Sequence, residues 1–97
     1  MPKFVIEREI PGAGYLTDEE LQGASQVSVE VLNEMGTQIQ WIHSYVAGDK
    51  IYCIYFAADE ATIKEHASRA GFPANRITPI SAIIDPGTAN AKMAVLA

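Results

Sequence analysis

Residues 3–10, KFVIEREI, alternate β-branched or aromatic side chains with charged ones, and Pro11-Gly12 ends the run. A period of two puts Phe4 and Ile6 on one face of this strand and Val5, Glu7 and Glu9 on the other. The period changes at Thr17. Thr17-Asp18-Glu19-Glu20 has the spacing of a capping box, with acidic residues where a helix dipole favours them. Leu21, Ala24, Ser25, Ser28, Val31, Leu32 and Met35 then recur at helical spacing, and Gly36 is a natural stop. Segments 38–46 and 51–57 predict two strands joined by residues 47–50. Pairing Val46 with Ile51 carries Trp41, His43, Tyr45, Tyr52, Ile54 and Phe56 to one face. The same register carries Gln40, Ile42, Ser44, Val46, Ile51, Cys53, Tyr55 and Ala57 to the other, and a slip of one residue would regroup them. Asp59 caps a second helix over 60–70, with Ile63, Ala67 and Ala70 inward and Gly71 at its end. Residues 76–85 predict a last strand, stopped by Pro86-Gly87. The apolar tail, 91–97, can add a fifth strand to this sheet or to a partner's.

The order β-α-β-β-α-β predicts a ferredoxin-like α+β sandwich, a four-stranded antiparallel sheet with both helices on one face and strand order 4-1-3-2. The domain is expected over 1–87, with 88–97 as a tail. Two helices cover only one face of such a sheet. The uncovered face would hold Trp41, Tyr45, Tyr52 and Phe56, more aromatic surface than a small monomer leaves in water. A homodimer is the expected solution, with those four residues lining a cleft.

Ninety-seven residues suffice for one core. A net charge of −5 argues against nucleic acid as a partner. One cysteine allows no internal disulfide, which favours a reducing compartment. With no run long enough to span a membrane and a strand starting at once, the expected location is the cytoplasm.

Two histidines carry most of the candidate chemistry. His43 shares its expected face with Glu7 and Glu9, and imidazole plus carboxylate suits nickel, zinc or copper. It can equally be an interface histidine hydrogen-bonded across a dimer, or an acid–base group. His66, beside Glu65 near the end of the second helix, is either a boundary residue or a surface metal ligand. Glu7 and Glu9 flank Arg8 as a solvated strand end, as ion pairs across a dimer, or as a weak cation site. Cys53 reads as a core residue. No phosphate loop, HExxH, GxSxG or nucleotide fingerprint occurs, and no organic cofactor is expected.

The runs FVIEREIPG, QWIHSYVAGDKIYCIYFA, IKEHASRAGFPANRI and IIDP, over about residues 3–87, resemble a family of short bacterial proteins. Its characterised members are nickel-binding, with a dimeric ferredoxin-like fold. The resemblance implies this fold, a homodimer and a capacity for nickel, with sequestration or detoxification as the purpose. It implies no ligand set residue by residue; His43, His66, Glu7 and Glu9 are metal candidates on their own chemistry. The alternatives are a small cleft enzyme similar to dimeric α/β-barrel monooxygenases and isomerases, with His43 as acid or base, and a non-catalytic small-molecule sensor. The residues favour a binding protein over an enzyme.

Overall fold

The computed structural model describes residues 1–90. Four strands, β1 (Lys3–Glu9), β2 (Ile39–Ala47), β3 (Lys50–Ala57) and β4 (Arg76–Pro79), form one antiparallel sheet in the order β2-β3-β1-β4. Helices α1 (Asp18–Met35) and α2 (Glu60–Ala70) complete the α+β fold. It is the ferredoxin-like arrangement expected from the element order. The tail from residue 91, the candidate fifth strand, lies outside the described residues.

The helix ends follow the sequence signals. Thr17 accepts a hydrogen bond from the Glu20 amide while the Glu20 carboxylate accepts one from the Thr17 amide, so the capping box is complete. These bonds hold the Glu20 carboxyl below its ordinary pKa. Asp59 caps α2 through the Thr62 hydroxyl and amide, which lowers its pKa in the same way. The core is built from Phe4, Ile6, Ile39, Cys53, Tyr55, Ala57 and Ile63.

Three boundaries differ from the sequence expectation. The β2–β3 strands extend to Ala47 and Lys50, leaving the two-residue turn Gly48-Asp49 in place of a four-residue connection. A short 3-10 turn, Ala13–Tyr15, grips this tip. Gly14 donates to the Gly48 carbonyl at 2.7 Å, Ile10 to the Asp49 carbonyl at 2.9 Å, and Gly12 to Asp49 Oδ1 at 2.9 Å. A side chain at Gly14 would put its Cβ 3.2 Å from the Gly48 carbonyl oxygen, a contact tight enough that the turn would have to give by a few tenths of an ångström.

The last strand is four residues long, not ten. Its ladder bonds run along β1, and Ile80 makes the final one, to the Lys3 carbonyl at 2.8 Å. Pro2 lies next along that edge, with no N–H to donate. Residues 81–85 therefore run on unpaired among the described residues, with Ile83 and Ile84 exposed.

The third difference changes the faces of the sheet. The expected register holds from Ala47–Lys50 to His43–Ile54, but the next pair is Trp41–Tyr55, with Ile42 bulged out between them. The extra residue reverses the phase of β2. Trp41, opposite Tyr55, joins the helix-covered face; Gln40, opposite Phe56, leaves it; and Ile42 has no partner on β3. The expected grouping of Trp41 with His43, Tyr45, Tyr52 and Phe56 in one cleft is thus corrected.

Candidate functional site

The uncovered face carries Lys3, Val5 and Glu7 of β1, Tyr52, Ile54 and Phe56 of β3, and His43 and Tyr45 of β2, as the pairings require. Tyr45 is 59% exposed, and His43 beside it is exposed too. The two rings meet edge to face, with centroids 5.0 Å apart at 77°. Their neighbours on β1 and β3 are half-buried.

His43 and Glu7 share this face but not a row. His43 pairs with Ile54, which pairs with Val5, whereas Glu7 pairs with Tyr52, which pairs with Tyr45. Two strand spacings of about 4.8 Å combined with a two-residue offset of about 6.8 Å separate their backbones by roughly 12 Å. The Glu7 carboxylate is also engaged, 3.5 Å from Lys50 Nζ and 3.8 Å from Arg76 Nε. Glu9 is exposed at the strand end, where its amide donates to Asn75 Oδ1 at 2.7 Å. Among the described residues, no three His, Cys, Asp or Glu side chains gather closely enough to hold one ion.

His66 lies on the other side of the sheet. It is fully buried, not a boundary residue, because α2 turns it inward with Ile63 and Ala67. Its Nε2 shares a hydrogen bond with Ser28 Oγ at 3.2 Å, its ring packs against Tyr55 at 5.4 Å, and Nδ1 has no partner among the described residues. Burial lowers its pKa; the Ser28 hydrogen bond opposes this shift and the Arg8 charge adds to it. His66 is therefore a neutral core histidine at pH 7, and it cannot share an ion with His43 of the same chain.

The helix-covered face also holds a cavity of about 140 Å³ between α1 and the sheet. Leu16, Leu21, Trp41, Val46, Ile51 and Phe72 give it an apolar wall. Trp41 Nε1 donates to Ser44 Oγ at 3.0 Å, and Ser25 Oγ donates to the Leu21 carbonyl at 2.8 Å, so these polar groups of the lining are occupied. Arg8 is the exception. It lines the cavity and is only 2% exposed, a charged side chain set behind a mostly apolar wall. Nε donates to Cys53 Sγ at 3.3 Å and Nη1 to the Pro73 carbonyl at 2.6 Å, while Nη2 is buried with no hydrogen-bond partner among the described residues.

In the sequence Arg8 stands between two glutamates as the centre of a charged strand end. The signal was present: alternation that places Phe4 and Ile6 inward places Arg8 inward as well. Burial of Tyr55 beside this group raises its phenol pKa, with the Ser28 hydrogen bond and the Arg8 charge opposing. The phenol is neutral at pH 7 and supplies no counter-charge.

A family profile described as "Nickel responsive protein SCO4226-like" matches residues 4–80. The chain belongs to the SCO4226-like family. The match spans all four strands and both helices. SCO4226 itself, from Streptomyces coelicolor A3(2), has a crystal structure that is similar at a TM-score of 0.70 and 20% identity. The alignment covers 84% of this chain and 99% of that one. At this identity the likeness carries the SCO4226-like fold alone. No curated protein matches the sequence significantly. No helix among the described residues is long and apolar enough to cross a membrane.

Proposed function

We propose that this SCO4226-like protein is a homodimer that binds a divalent metal ion, nickel, and sequesters it. The observation that carries this reading is the uncovered face: His43 and Tyr45 lie exposed beside half-buried Val5, Tyr52, Ile54 and Phe56, with no layer of the described residues over them. The family description, nickel responsive protein, favours nickel among the ions an imidazole suits.

Each chain offers one accessible imidazole on that face, and its acids stand a strand or more away. A site with several protein ligands then draws on two subunits, because a two-fold axis brings a second His43, Glu7 and Glu9 to the same interface. Glu7 would have to exchange Lys50 and Arg76 for the ion, which favours His43 and Glu9 as ligands. His66 is left outside the site: it is enclosed, and the neighbouring Arg8 charge repels a second cation.

The test is calorimetric titration of nickel into tag-free protein near pH 7.5, with sedimentation velocity to read the assembly. Wild type is expected to bind as a dimer, and His43→Ala to lose nickel affinity by about tenfold or more. Absence of nickel binding, or unchanged binding in His43→Ala, would refute His43 as the ligand.

A further inference from the structure

We infer that the cavity between α1 and the sheet is a receptor for a small organic carboxylate, with Arg8 holding the carboxylate and the apolar wall holding its body. This site lies behind the sheet, away from the proposed metal face, and does not depend on metal binding or dimerisation.

The argument begins with the charge. A guanidinium is ionised at any accessible pH, so burial cannot neutralise it as burial neutralises His66. Buried charges are ordinarily paired, and removing an ion from water without a counter-ion is strongly unfavourable. Arg8 is buried, yet no carboxylate lies within ion-pair distance among the described residues. Its contacts are a thiol, a peptide carbonyl, the neutral Tyr55 phenol and the Phe72 ring, 5.6 Å from the guanidinium carbon. None carries a full negative charge while Cys53 is a thiol.

The cavity fixes the rest of the ligand. Its volume of about 140 Å³ is close to that of a known engineered apolar cavity of about 150 Å³ that admits benzene. The wall admits a body of roughly six carbons, aromatic or aliphatic, and the polar lining away from Arg8 is already engaged. A guanidinium fork recognises a planar carboxylate in geometry as well as charge. The lining runs from buried Cys53 and Tyr55 outward to Val46, which is 40% exposed on the edge strand. Recognition of this kind, apolar walls with a single charged anchor, is the usual design of a small-molecule site.

Benzoate serves as the probe and benzyl alcohol as its neutral counterpart of similar shape. Amide NMR titrations of the full chain to about 10 mM suit the weak affinity expected of so small a ligand. Saturable shifts are expected at the amides of Arg8, Ser28 and Cys53. Benzyl alcohol should bind about tenfold or more weakly, the difference between a charge-assisted and a neutral hydrogen bond. Arg8→Met, an unbranched apolar replacement, should abolish the preference for benzoate. The proposal is overturned by an absence of saturable shifts, by equal binding of the two probes, or by shifts confined to the His43 face. The comparison of the two probes on wild type decides the matter even if Arg8→Met fails to fold.

Discussion

Lowering the pH from 7.5 to 5 should destabilise this protein through one residue, His66. The sign follows from burial. The folded chain disfavours protonated His66, whereas the unfolded chain takes the proton with an ordinary histidine pKa near 6.5. The unfolded state then holds more protons, and stability falls as pH falls below that value. The limiting slope is about 1.4 kcal/mol per pH unit for one proton, so the ceiling between pH 6.5 and 5 is about 2 kcal/mol. Against a total of about 5–15 kcal/mol for a typical domain, that is measurable. Glu20 and Asp59 have lowered pKa values, but their contributions are lost only as pH falls below their ordinary values of 4.5 and 3.8. They leave the window from 7.5 to 5 nearly clear. Urea unfolding followed by far-ultraviolet circular dichroism, at one fixed protein concentration, would read the slope. His66→Gln keeps a donor for Ser28 and removes the titration, so its stability should be flatter over the same range. A wild-type stability that is flat to pH 5, or an equal slope in His66→Gln, would refute the burial argument.

Two further outcomes follow from packing. Gly14→Ala forces a Cβ to within 3.2 Å of the Gly48 carbonyl oxygen; it should destabilise by about 1–3 kcal/mol, as overpacking does, and lower the urea midpoint. If the proposed homodimer forms through the uncovered face, Ile54→Lys puts a charge at its centre and should shift sedimentation from dimer to monomer, with the helical circular dichroism unchanged; a wild type that sediments as a monomer, or a variant that stays dimeric, would refute that interface.

The sequence was most legible where a local signal decides the structure. Thr17-Asp18-Glu19-Glu20 and Asp59 mark helix starts because the bonds they make span only three residues. Gly36 and Gly71 mark the ends for a similar local reason: both sit at positive φ. It was less legible where the deciding partner is remote. The shortness of β4 is set by what β1 offers opposite it, not by the strand-like composition of residues 76–85. The bulge at Ile42 leaves no mark in the alternation, since a single extra residue only exchanges one regular phase for another. Of the candidate site, the His43 side of the sheet was anticipated through the hairpin register. The burial of His66 was not, because a histidine at the helix boundary reads equally well as solvated. Arg8 was hidden by its glutamate neighbours, whose charge made the whole segment look exposed.

The reversal at Ile42 gives the molecule a built-in reporter. Trp41 is the chain's only tryptophan, and the bulge turns its indole away from His43 and into the wall of the Arg8 cavity. Its emission wavelength is therefore tuned by whatever fills that space, water or ligand. A strand without the bulge would have turned the same fluorophore toward the uncovered face, where it would register assembly instead.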